Sequence, residues 1–242
     1  MQNNRSVPAP ANRAAPEDLE VSEFLAKVKE LAVKPSDERG RLVFAMDATM
    51  SRQPTWDMAM SLQGEMFKAI KSTGGLDVQL VYFRGIDECR SSKWVSDPES
   101  LAKLMTSVKC HGGYTQIRKI LTHATKAAGA KRINAVVYVG DSMEEEIDEL
   151  CMRAGELALL GVPVFIFQEG HDARAARAFR EIARLTNGAT LRFDSGAASE
   201  LRQLLAAVAA YAAGGHKALR QLGRTSRGDG ARRLLAQMKP TG

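Results

Sequence analysis

The chain has 242 residues, 45% of them hydrophobic and 26% charged, with 20 Gly and 8 Pro, the balance of an ordinary globular protein. A chain of this length buries roughly 70 to 75% of its unfolded surface, so it needs neither disulfides nor a structural metal to fold. Cys89, Cys110 and Cys151, widely spaced and without a C-x-x-C pair, read as reduced thiols, and the whole net charge of +6 sits in residues 214–242.

Residues 1–18 are rich in Pro, Ala and Asn and read as a disordered arm; they offer no apolar core of a secretion signal, and Pro8, Pro10 and Pro16 break any import helix. No apolar run approaches the roughly 18 residues of a membrane span, so a cytoplasmic location is expected. From Val21 the apolar positions Phe24, Leu25, Val28, Leu31 and Ala32 follow helical spacing, which predicts a helix over residues 19–33, with Pro35 and Gly40 ending it inside a linker that runs to 39.

Short apolar runs stopped by polar residues then recur: Arg41 to Asp47, Leu76 to Phe83, Ile133 to Val139, Val162 to Phe167 and Ala189 to Phe193. Between most of them lie helical stripes, namely Ala59, Leu62, Met66, Phe67 and Ile70; Ile117, Ile120, Leu121 and Ala124; Ile147, Leu150, Cys151, Ala154 and Leu157; Ala176, Phe179, Ile182 and Ala183; and Leu201, Leu204, Leu205 and Val208. Strand and helix alternating in this way predict a three-layer, doubly wound α/β fold with a mainly parallel sheet of six strands, because parallel strands need crossover helices. One stretch, Tyr82 to Trp94, joins two strand-like runs by a short turn and predicts an antiparallel strand at the sheet edge.

In open α/β sheets ligands bind beyond the carboxyl ends of the strands. Three loops there carry oxygen side chains: Asp47-Ala-Thr49-Met-Ser51, His111-Gly-Gly-Tyr-Thr115, and Gly140-Asp141-Ser142. Each hydroxyl has an alternative use as a helix cap: Ser51 before Pro54, Thr115 before the next helix, and Ser142 with Glu145 as a capping box. Glu144, Glu145 and Glu146 read as first-turn acids that complement a helix dipole.

Over residues 40–213 the order and spacing of these three loops resemble the von Willebrand factor A (VWA) domains, whose metal-ion-dependent adhesion site (MIDAS) uses D-x-S-x-S, a Thr in a second loop and an Asp in a third. The resemblance implies a Rossmann-like fold and a metal site at Asp47, Thr49, Ser51, Thr115 and Asp141, with Thr49 standing where the family usually has Ser. It further implies Mg2+, with Mn2+ or Ca2+ as alternatives, and a non-catalytic protein-protein interaction module that engages an acidic residue of its partner through the metal. Met50, Tyr114 and Ser142, beside those ligands, are candidate partner contacts. Bacterial intracellular proteins of this type imply an AAA+ ATPase or a multi-protein assembly as the partner.

Two other functions stay open on the sequence. A metal-dependent phosphoryl hydrolase would want D-x-D after the first strand, where this chain has Thr49. A metal-free scaffold would act through the tail at 214–242, expected to be flexible, whose Lys217, Arg220, Arg224, Arg227, Arg232 and Arg233 suit nucleic acid, an acidic protein or an anionic surface.

Overall fold

A computed structural model describes residues 39–69, 75–194 and 196–238. The expected N-terminal arm and the helix at 19–33 lie outside the described residues, as does Ile70 of the second predicted stripe.

Six strands form one sheet: β1 (Gly40–Asp47), β2 (Leu76–Arg84), β3 (Glu88–Val95), β4 (Ala135–Gly140), β5 (Val164–Glu169) and β6 (Ala189–Phe193). Their spatial order is β3-β2-β1-β4-β5-β6, with every neighbouring pair parallel except β2 and β3. The expected architecture is therefore observed, including the antiparallel edge strand. Two strand starts shift inward. Ile133 stays in the loop before β4, and β5 begins after Pro163, which has no N–H to give the ladder and instead accepts from Val136 N at 3.0 Å.

Eight helices are described: α1 (Gln53–Leu62), α2 (Gly64–Ala69), α3 (Pro98–Thr106), α4 (Ile117–Ala130), α5 (Ile147–Leu159), α6 (Ala173–Leu185), α7 (Ala198–Gly223) and α8 (Asp229–Leu235). The period of two in an extended strand sends alternate side chains of β1 into different layers. Leu42, Phe44 and Met46 join a core formed with α1, α2, α3, α7 and α8, while Val43 and Ala45 join the core under α4, α5 and α6. Helix α3 was not among the sequence expectations, yet its start is conventional: Asp97 caps it by accepting from Ser100 N at 2.7 Å, and Pro98 takes the first turn.

The C-terminal segment corrects the expectation of a flexible tail. Helix α7 passes through a break at Gly214 and Gly215, the latter at φ +61°, a conformation that suits glycine, and continues to Gly223 before α8 follows. Leu219, Ala231, Leu234 and Met238 are buried in the sheet's core. The apolar side of this basic segment covers its own sheet, because Leu219 and Leu234 gain more by leaving water there than as part of a solvated chain. Of its cations, Arg233 pairs with Glu200 at 3.2 Å and Arg232 donates to Gly223 O at 2.8 Å, whereas Lys217, Arg220, Arg224 and Arg227 are exposed.

Candidate functional site

The strand order places β1 beside β4, and the crossovers from these two strands leave in opposite directions. Their carboxyl ends therefore open the crevice where ligands bind in doubly wound sheets. Asp47 is the last residue of β1, and Asp141 follows the last residue of β4.

The first loop leaves β1 through a tight turn. Asp47 Oδ1 accepts from Thr49 N at 2.7 Å, Arg52 N donates to Thr49 O at 2.9 Å, and Met50–Arg52 form a single 3-10 turn. The Thr49 and Ser51 hydroxyl oxygens stand 3.5 Å apart. Neither Ser51 nor Thr115 caps a helix: α1 follows Arg52 and α4 follows Gln116, with no side-chain cap bond at either start. Asp47 is buried, and its Oδ2 has no hydrogen-bond partner among the described residues. Burial raises its carboxyl to about 6; the Asp141 charge adds to the rise, and the Thr49 hydrogen bonds and the Arg52 charge oppose it. Below the site, the Tyr138 hydroxyl is also buried without a partner among the described residues.

The second loop is pinned against the first. His111 N donates to Ala48 O at 3.0 Å and Tyr114 N to Gly85 O at 3.1 Å. A Cβ on Gly113 would stand 1.9 Å from Gly85 O, so only glycine lets this loop lie so close to the β2–β3 turn. Thr115 is buried, and its N and Oγ1 both donate to Glu144 Oε2, at 2.9 and 2.7 Å, while Glu144 N donates back to Thr115 Oγ1 at 3.1 Å.

The third loop uses its acids differently from the sequence expectation. Helix α5 begins only at Ile147, so Glu144 and Glu145 are outside its first turn. Glu145 instead reaches across to the start of α4, accepting from Ile117 N at 2.6 Å and Arg118 N at 2.9 Å; burial raises its carboxyl's affinity for a proton, and those two bonds oppose the rise. Ser142 forms no capping box and donates to Asp141 Oδ1 at 3.2 Å. The other Asp141 oxygen is bound by Arg52 Nη1 at 2.8 Å.

Arg52 is the principal side chain of the candidate site that the sequence reading missed. It is only 6% exposed, and its guanidinium also binds Glu169 at the end of β5 and Thr55 of α1. The strand-end rule that marked Asp47 and Asp141 also covers Glu169, so that residue was legible by the same signal. Ile86 was missed too. It lies in the β2–β3 turn, next to the Gly85 whose carbonyl accepts from Tyr114 N, and is 80% exposed.

The oxygen donors suit a hard divalent cation, which prefers carboxylate and hydroxyl oxygen over nitrogen or sulfur. Among the described residues no group of three or more His, Cys, Asp or Glu is placed to hold a metal ion, so a cation here would need Thr49, Ser51 and Thr115 besides the carboxylates. The residues present fit such an ion on the Asp47 side, where a buried carboxylate oxygen stands unpartnered. On the other side Thr115 and Asp141 would exchange bonds they now make.

No protein-family model matches the chain, and no curated protein does. Solved structures do. The von Willebrand factor type A protein from Catenulispora acidiphila aligns over 72% of this chain and 43% of its own, with a TM-score of 0.58 and 12% identity. The VWA domain of SpRpn10 aligns over 69% of this chain and 95% of its own, with a TM-score of 0.55 and 12% identity. An aerotolerance-related membrane protein from Bacteroides fragilis aligns over 69% and 96%, with a TM-score of 0.53 and 16% identity. The chain thus has the VWA, Rossmann-like α/β fold, and it spans less than half of the first of these proteins. All three cysteines are free, and among the described residues no helix is long and apolar enough to cross a membrane.

Proposed function

We propose that this chain is a non-catalytic protein-interaction module that binds Mg2+ through Asp47, Thr49, Ser51, Thr115 and Asp141 and engages an acidic side chain of a partner protein. The observation that carries this reading is the buried, unpartnered Oδ2 of Asp47 beside two hydroxyls, at the crevice between β1 and β4. A bound cation would supply an electrophile with an open position. Neutral hydroxyl ligands quench little of its charge, which favours an anionic ligand from outside.

The surroundings suit protein contact. Of the five exposed large apolar side chains among the described residues, Met50, Ile86 and Tyr114 stand on the loops at this end of the sheet. Exposed large apolar and aromatic side chains beside a polar centre can exclude water from a contact made there. The second position after Asp47 holds the Thr49 hydroxyl in place of the carboxylic acid that phosphoaspartyl chemistry uses, which favours binding over turnover. A bacterial AAA+ ATPase or multi-protein assembly in the cytoplasm is the partner we propose.

The test is a thermal melt of the full chain in EDTA and in millimolar Mg2+, Mn2+ or Ca2+, with Asp47→Ala alongside. Ligand at 100 times its Kd stabilises the native state by about 2.7 kcal/mol, a shift of several degrees that the variant should lose. Equal melting in EDTA and every metal sinks the metal part of the proposal.

A further inference from the structure

The carboxylates at the crevice already have a cation. Arg52 closes the 3-10 turn that follows Thr49 and contains Ser51, yet its side chain runs inward, only 8% exposed. There it joins Asp141 on the third loop, at 2.8 Å, to Glu169 at the end of β5, whose side chain is 7% exposed. Thr55 donates to the same Glu169 oxygen and completes the cluster. The part-buried Asp141 carboxylate, 27% exposed, and the nearly buried Glu169 carboxylate thus share one guanidinium, and Arg52 supplies that charge from within the chain.

Its fork geometry adds a second consequence. A guanidinium presents several donors in one plane, so Arg52 spans two loops that a compact ion would have to bridge through separate ligands. The turn after β1 is thereby tied to the ends of β4 and β5 with no metal. Any divalent cation at Asp47 must either leave Asp141 to Arg52 or take its Oδ2 away. It must also do so near a fixed positive charge.

From this we infer that Arg52 is a resident counterion of the crevice, which preassembles the site and competes with a divalent cation for Asp141. The inference rests on the metal reading above and specifies its control: Arg52 sets how tightly the site holds a cation. Replacing Arg52 by a neutral side chain frees a carboxylate oxygen and removes a repelling charge in one step.

The experiment is a titration of the full chain with Mn2+, read from the electron paramagnetic resonance signal of the free ion, for wild type, Arg52→Gln, Arg52→Lys and Asp47→Asn. The expected result is Mn2+ binding about tenfold tighter or more in Arg52→Gln, between that and wild type in Arg52→Lys, which keeps the charge but not the fork, and lost in Asp47→Asn. Circular dichroism in EDTA verifies folding. If Arg52→Gln fails to fold, the comparison moves to Arg52→Gln/Glu169→Gln against Glu169→Gln, where the same tightening is expected. Mn2+ binding that survives unchanged in Asp47→Asn, or that is absent from wild type and every variant alike, overturns the metal reading and this inference with it. Binding that needs Asp47 but is no tighter without Arg52 overturns this inference alone.

Discussion

The first loop of the crevice and the second and third loops solve different problems with similar side chains. At Asp47, Thr49 and Ser51 one carboxylate oxygen is buried without a partner, and two hydroxyls lie 3.5 Å apart. At Thr115 and Asp141 the corresponding groups are engaged, the hydroxyl by Glu144 and the carboxylate by Arg52. The contrast teaches that one half of the site holds polar capacity in reserve at a cost in stability, while the other half has spent the same chemistry on holding three loops together. Strain of the first kind is characteristic of binding sites, where a group is held ready for a ligand at the expense of the free protein.

The sharpest break of that contrast is Arg52→Gln. It removes the guanidinium that binds Asp141 and the nearly buried Glu169, and it should lower the unfolding free energy by about 3 kcal/mol in urea titrations without metal. Adding Glu169→Gln should recover a large part of the loss.

Asp47→Asn should act in the opposite direction. The Asp47 carboxyl lies at about 6 in the fold against 3.8 ordinarily, so the fold favours its protonated form. The cost of ionising it is absent at low pH, grows as pH rises from 3.8 to about 6, and is complete above that, amounting to at most about 3 kcal/mol. The variant should therefore be more stable than wild type in EDTA at pH 7.5, with the gain fading at pH 4. A wild-type advantage at pH 7.5 without metal would show that Asp47 is paired in solution.

Thr115→Val tests the engaged half more gently. It removes the hydroxyl between Glu144 Oε2 and Glu144 N, and the expected loss is about 1 to 2 kcal/mol, read by thermal or urea melts. The smallest stability effect belongs to Ser51→Ala, within about 0.5 kcal/mol, because Ser51 is exposed and caps nothing. Its effect should appear instead as weaker Mn2+ binding. A destabilisation equal to that of Thr115→Val would erase the distinction between the two halves.

Much of this was legible in the chain. The alternation of apolar runs with helical stripes defined a doubly wound fold, and the hairpin from Tyr82 to Trp94 marked the antiparallel edge. Asp47 and Asp141 were identifiable because a carboxylate closing a buried apolar run stands at a strand's carboxyl end, whatever the rest of the molecule does.

What the sequence by itself determined is local: which side of each element is apolar, where strands stop, and which side chains stand at those stops. Only the tertiary structure decided what meets what. It set β1 beside β4, brought Arg52 to Asp141 and Glu169, turned Glu145 from its neighbouring helix to the start of α4, and folded the apolar side of a basic segment onto the sheet. Periodicity records that a face must be covered but not by which element, and the charge that satisfies a buried carboxylate is chosen through space, from residues far apart along the chain.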